Sequence, residues 1–304
     1  MAVLLFLAAV TYAAHGSSTP GNECSRPLLH DGHFLLSSLL KMAGYSDVCV
    51  AAALDSCSSP QENGPFASIM EEARAMVQEV KHAVNTWKSP PRHCKDIMDS
   101  GDNVSGVRQI YPFPDRPYFR VNAYCEQTID GGGWTVVQRR SNDSTRQRFY
   151  RTLNEYKLGF GDKEGEFWFG LVPIYELTRT TLHELRIDLE DYDGARGFAK
   201  YGYFRLISHS SYNLVAERYT GNVGDALIEH NGQPFSTYDV DRDRSAINCA
   251  EVSYGGWWYH DCYDSNLNGL QHNSASTSVD GIRWNTWDGR DSLRRTTMMI
   301  RPAF

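Results

Sequence analysis

Between residues 239 and 249 the chain reads Asp239, Val240, Asp241, Arg242, Asp243, Arg244, Ser245, Ala246, Ile247, Asn248, Cys249. Alternate positions of such a loop converge on one side, and carboxylates grouped there suit Ca²⁺, which accepts carboxylates, backbone carbonyls and waters together. Taken alone, the run reads better as a solvated acidic turn, because short charge runs need no ligand and Arg242 and Arg244 supply local counter-charge. It is not an EF-hand: the sixth position counted from Asp239 is Arg244 rather than Gly, and the twelfth is Ala250 rather than Glu. Cys262 lies thirteen residues beyond Cys249, with Gly255, Gly256, Trp257, Trp258, Tyr259, His260 and Asp261 between them. A disulfide across this interval would constrain the unfolded chain by about 3 kcal/mol. Aromatic residues and a bridge beside a metal loop can build a shallow rigid pocket, with buried packing of at least one tryptophan as the alternative.

No catalytic constellation competes with this binding chemistry. The sequence holds no G-x-S-x-G elbow, H-E-x-x-H helix, phosphate-binding loop or G-x-G-x-x-G fingerprint. His183 beside Glu184 and His260 beside Asp261 are neighbours in sequence only, and one isolated titratable residue specifies no reaction. The chain therefore reads as a non-enzyme.

The loops need a frame, and the surrounding pattern supplies one. After Cys94 the chain turns into short aromatic strands, such as Trp134–Gln138 and Glu184–Leu189, with a helix near Val172–Thr178. Turn dipeptides Asp130-Gly131, Asp193-Gly194 and Asn231-Gly232 separate them. No alternation of strand and long helix appears, so the class is α+β with an antiparallel sheet.

Upstream, residues 31–87 are helical in pattern. Phe66, Ile69, Ala73, Met76, Val80, Ala83 and Trp87 repeat at spacings of three and four, an a/d seam about 33 Å long over 66–87. Such a seam either joins two or three copies or packs on the chain's own globular part. Lys88, Ser89, Pro90, Pro91 and Arg92 exclude helix and mark the boundary.

The first apolar run, Val3–Val10, is too short to span a bilayer and reads as the core of a secretory signal within 1–16. Seven cysteines behind such a signal favour disulfides, and an odd number leaves at least one thiol free or bridged to another chain. Cys24, Cys49 and Cys57 are the ones that precede residue 60. The sequons at Asn103 and Asn142 would then carry N-glycans. Over 304 residues the hydrophobic content is 41% and the formal net charge −7, which gives an ordinary globular core and argues against a nucleic-acid or membrane-inserting partner.

Several of these segments carry a family likeness. Gly131–Arg140, Tyr156–Gly161, Gly165–Trp168, Glu184–Gly194, His230–Asp243, Asn248–Ala250, Gly256–Trp258 and Ser265–Gly269 resemble, in order, the signatures of the fibrinogen C-terminal domain family. The resemblance implies a globular domain over 92–304 with a central antiparallel sheet, short helices and a loop-rich calcium-binding part, preceded by a helical oligomerising segment over 17–91. It also implies disulfides Cys94–Cys125 and Cys249–Cys262, and Ca²⁺ bound by Asp241, Asp243 and the carbonyls of Ser245 and Ile247. A cis peptide is implied between Asp261 and Cys262.

Within the family the chain looks like the tachylectin-5, ficolin and ixoderin type of lectin, whose pocket beside calcium takes an acetyl group. The matching positions are Asp261, Cys262, Tyr263, Ser278 or Val279, and Arg290, the last of which would favour a carboxylate on the ligand. The resulting expectation is a secreted, extracellular, oligomeric, calcium-dependent lectin of innate immunity that binds glycans or other acetylated or anionic surface ligands. The competing expectation is a peptide-binding module of coagulation or matrix type.

Overall fold

The computed structural model describes residues 90–116, 118–141, 146–287 and 291–303. The signal segment, the seam over 66–87, Cys24, Cys49, Cys57, Asn142 and Arg290 lie outside the described residues. The chain divides into two compact units, 1–88 and 89–304, and the second holds everything described below.

The unit is built on a sheet ordered β1 (Gly106–Ile110), β2 (Val121–Glu126), β3 (Trp134–Arg140), β11 (Arg295–Pro302), β6 (His183–Glu190), β7 (Arg196–Ile207) and β8 (Asn213–Gly221). Two short strands, β4 (Phe160–Gly161) and β5 (Phe167–Trp168), branch from β3. All pairings are antiparallel, as the α+β expectation required.

Sequence pattern accounts for each strand's place. β3, with the sequence WTVVQRR, is buried almost continuously because it is covered on both faces. β6 alternates instead: Leu185, Ile187 and Leu189 point into the core, while Glu184, Arg186 and Asp188 point out. On that outer face Lys200 bridges Asp130 (2.8 Å) and Glu184 (3.0 Å), and the Arg301 guanidinium lies 4.1 Å from the Trp134 ring. β7 is buried at Gly197, Ala199 and Tyr201 and then at Phe204 and Leu206. The switch follows an extra residue on β7, since His183 pairs with Phe204 but Leu185 with Tyr201, and a bulge reverses which face later side chains occupy.

Four short helices, α1 (Cys94–Asp99), α2 (Leu153–Leu158), α3 (Leu171–Thr178) and α4 (Cys249–Val252), connect these strands. α2 starts at a capping box in which Thr152 Oγ1 accepts the Glu155 amide and Glu155 Oε2 accepts the Thr152 amide. It ends at Gly159, whose φ of +87° and contact with the Phe169 carbonyl leave no room for a Cβ.

The core continues beneath the loops after β8. Tyr156, Trp168, Phe235 and Trp258 pack ring against ring at centroid distances of 5.0–6.2 Å. Two side chains of β3 reach into the same region: Gln138 Nε2 donates to Leu267 O (2.8 Å) and Arg140 Nη1 to Gly269 O (2.7 Å). Arg140 is buried beside Glu166, and its burial lowers the guanidinium to about 10 despite that carboxylate. A second ribbon, β9 (Ser265–Asn266) with β10 (Arg283–Trp284), closes the loop region.

Candidate calcium and ligand site

The acidic loop is fastened to the aromatic core before it reaches its carboxylates. Ser236 and Trp257 exchange backbone hydrogen bonds (2.9 and 3.1 Å), and Ser236 Oγ accepts the Arg242 amide (2.9 Å). Asp239 turns toward α2, where its Oδ1 accepts the Leu153 amide (3.0 Å) and the Thr237 hydroxyl (2.7 Å). It serves as an anchor for the loop. Asp241 and Asp243 remain as a pair: Asp241 Oδ1 accepts the Asp243 amide (3.2 Å), and Asp243 accepts the amides of Ser245 (2.9 Å) and Cys249 (3.0 Å). Burial first, then the Asp241 charge, hold the Asp243 carboxyl above the usual carboxylate range against those two amide bonds.

The donor set fits a hard cation. Among the described residues no group donates to the carbonyls of Ser245 or Ile247, which leaves both free to accept from a ligand. Neither Arg242 nor Arg244 forms an ion pair with Asp241 or Asp243 among the described residues, so the arginines do not neutralise this pair. No group of three or more His, Cys, Asp and Glu is placed to hold a metal among the described residues. A cation here would therefore rest on two carboxylates, backbone carbonyls and water, which suits Ca²⁺ and its flexible oxygen coordination.

Three links join this loop to the residues around Cys262. Cys249 and Cys262 are disulfide-bonded, with Cα atoms 5.5 Å apart. The Cys249 amide donates to Asp243, and the Arg244 amide donates to the His260 carbonyl (3.0 Å). The peptide between Asp261 and Cys262 is cis, and the His260 amide donates to the Cys262 carbonyl across it (2.9 Å). Asp261 is exposed, and Tyr263 sends its hydroxyl to the Val279 carbonyl. Burial raises the Tyr263 hydroxyl, keeping it a donor. Ser278 is exposed, and its carbonyl accepts Nε (3.0 Å) and Nη2 (2.7 Å) of Arg283. Asp261, Cys262, Tyr263, Ser278 and Val279 are thus brought together. The second bridge, Cys94–Cys125, ties α1 to β2 far along the sheet.

Trp257 and Trp258 are both packed in the core, 0% and 1% exposed, so they support the bridged loop from beneath and do not line a surface. Trp258 Nε1 donates to Tyr212 O (2.7 Å). The buried Tyr156 hydroxyl donates to Phe149 O (2.6 Å) and accepts the Gly256 amide (3.0 Å), which holds the turn before the tryptophans.

His230 is the site residue to which sequence reasoning assigned no role. Its Nε2 accepts the amides of Asp264 and Ser265 (3.1 Å each), which requires an unprotonated Nε2, so the ring proton sits on Nδ1 and points to Trp258 O (2.7 Å). Complete burial lowers its pKa to about 4, with the Trp258 bond opposing the shift. One neutral ring thus fixes the segment before Cys262, at Trp258, and the segment after it, at Asp264 and Ser265. Its place at the head of the His230–Asp243 signature was the available signal. Asn103 is exposed in the irregular segment before β1, as a glycan acceptor must be.

Comparison with known proteins agrees with this architecture. Residues 90–303 match the family profile of the fibrinogen beta and gamma chains, C-terminal globular domain. A fibrinogen C domain-containing protein 1 of Xenopus tropicalis is 43% identical over 223 residues, covering 70% of this chain and 48% of that relative. The chain thus spans about half the length of the curated relatives it matches first. The fibrinogen-like globe domain of human ANGPTL6 superposes with a TM-score of 0.66 at 43% identity, covering 70% of this chain and 96% of that one. A lamprey fibrin D-dimer complexed with the peptide Gly-His-Arg-Pro-amide superposes with a TM-score of 0.63 at 28% identity, covering 78% of this chain and 87% of that one. The chain belongs to the fibrinogen C-terminal domain family, a family of non-enzymatic binding and structural modules.

Proposed function

We propose that this protein is a secreted, calcium-dependent recognition module of the lectin type, which binds an acetylated or anionic group on a surface glycan beside Cys262. The observation that carries the reading is the triple connection between the acidic loop and the bridged loop: the Asp243–Cys249 hydrogen bond, the Cys249–Cys262 disulfide and the Arg244–His260 hydrogen bond. An ion held by Asp241 and Asp243 would stiffen the backbone that presents Asp261, Cys262 and Tyr263. A short loop at the end of a sheet would otherwise open locally.

A second reading, peptide binding, is favoured by the lamprey fibrin neighbour, which holds a short basic peptide. Glycan and peptide arrays probed with the purified chain in calcium and again in EDTA separate the two. Calcium-dependent retention on N-acetylated or acidic glycans supports the lectin reading. Retention on peptides alone replaces it with the second.

A further inference from the structure

Away from the acidic loop in sequence, two histidines carry buried ring nitrogens with no hydrogen-bond partner among the described residues. His93 lies at the start of α1, and its Nδ1 is 3.1 Å from Asp96 Oδ2, which also accepts the amides of Arg92 (2.7 Å) and His93 (3.0 Å). A carboxylate that accepts several donors is ionised, so the ring proton of His93 sits on Nδ1. His183, on β6, has Nδ1 2.8 Å from the Thr181 carbonyl, which can only accept, so its proton sits on Nδ1 as well. In its neutral form each ring therefore presents an unprotonated Nε2. Both Nε2 atoms are buried and neither has a hydrogen-bond partner among the described residues. The residues are 6% and 0% exposed, and their ring centroids lie 5.1 Å apart at an interplanar angle of 50°.

A buried acceptor without a donor costs about 1–3 kcal/mol, and two side by side need an explanation. Metal-binding histidines characteristically give their other ring N–H to a carboxylate or a backbone carbonyl, which is what Asp96 and Thr181 provide here. Two imidazoles sharing a tetrahedral zinc through nitrogens at about 2.0–2.1 Å have centroids roughly 5 Å apart. Imidazole nitrogen selects zinc-class ions over the hard cations that suit the acidic loop.

We propose that His93 and His183 together bind a divalent transition-metal ion of the zinc class through their Nε2 atoms, with water completing the coordination. The charged surroundings balance: Arg92 and Arg179 are offset by Asp96 and Glu176, with Arg179 Nε 2.7 Å from Glu176. A groove of about 240 Å³ lined by Thr178–Leu182 and Tyr203–Arg205 lies beside His183, whose sequence neighbours Thr181 and Leu182 and cross-strand partner Phe204 are part of its wall. The ion would pin the segment that leads into α1 against β6.

The test uses the full chain, stripped with EDTA and returned to millimolar calcium so that oxygen sites are filled. Zn²⁺ is then titrated by calorimetry, and Co²⁺ serves as a spectroscopic probe. The expected result is a saturable Zn²⁺ site whose affinity falls at least ~10-fold in His93→Gln and in His183→Gln, and by about 10-fold in Asp96→Asn. Nitrogen-coordinated Co²⁺ bands should be present in the wild type and absent in His93→Gln. His93 lies at the domain edge, so that variant decides the matter even where His183→Gln fails to fold. A wild type that binds no Zn²⁺ below millimolar concentration overturns the proposal, as does binding that survives in His93→Gln.

Discussion

His230 shows how one side chain can serve structure and impose a pH limit. Two amides donate to its Nε2, so the folded protein resists protonating it and its pKa is lowered to about 4 from an ordinary 6.5. Above pH 6.5 neither folded nor unfolded state binds this proton and His230 adds no pH dependence. As pH falls from 6.5 toward 4, the unfolded chain takes up a proton that the folded chain refuses, so stability is lost across that window. The loss should be about 2 kcal/mol by pH 5 and about 3 kcal/mol below pH 4. Urea denaturation at pH 7 and pH 5 checks this. His230→Gln keeps an acceptor for the two amides but abandons Trp258 O, so it should cost about 1–3 kcal/mol at pH 7 while losing its share of the acid slope. A variant whose stability falls between the two pH values as steeply as the wild type's would assign that slope to other groups.

The elements around the site divide into those that hold position and those that present. The bridged loop does both, because Cys249 begins α4 and Cys262 opens the presented segment. Replacing both cysteines with serine should cost about 3 kcal/mol for the 13-residue separation they close, and should weaken calcium-dependent ligand retention even at temperatures where the sheet stays folded. Retention equal to the wild type would show that the hydrogen bonds between the loops suffice. This architecture was partly legible in the sequence. Strand β6 and helix α3 were readable because their apolar residues follow the period of the element, and β3 as a short run of aromatic and β-branched residues; the observed bounds differ from the reading by two residues or fewer. β7 was not, since its bulge breaks the alternation between Tyr201 and Phe204, a shift that only the pairing with β6 reveals. The acidic loop was visible as a charge pattern, but its spacing alone could not separate Asp239, an anchor on α2, from Asp241 and Asp243. The tryptophans of the bridged loop were ambiguous for a similar reason: apolar residues in an irregular segment have no period to say which way they face.

At the scale of the whole molecule, calcium and copy number should act together. With two carboxylates in its donor set, the proposed calcium site should be weak, on the order of 10⁻⁴ M, which suffices outside cells. Asp241→Ala combined with Asp243→Ala should abolish the rise in melting temperature that millimolar calcium produces over EDTA. A wild type that melts identically in both would end the calcium reading. On the proposed lectin reading, a single site would hold one sugar weakly, and useful affinity would require several on one particle. The apolar spacing from Phe66 to Trp87 and the cysteines at 24, 49 and 57, read from the sequence, would offer the means, because a helical seam of that spacing would be about 33 Å long and could join two or three copies that cysteines could lock. Joined pockets convert a second binding event into an intramolecular one, and the gain in avidity runs from about 10²- to 10⁴-fold without any new contact. The full chain should therefore elute as a multiple of its own mass, fall to smaller species on reduction, and dissociate from a dense glycan surface at least ~100-fold more slowly than a fragment spanning 90–304. The fragment should still show the calcium-dependent melt, because Asp241, Asp243 and both described disulfides lie within it. Equal dissociation rates for full chain and fragment, with both eluting as single chains, would mean that the seam packs within its own chain and that recognition here is monovalent.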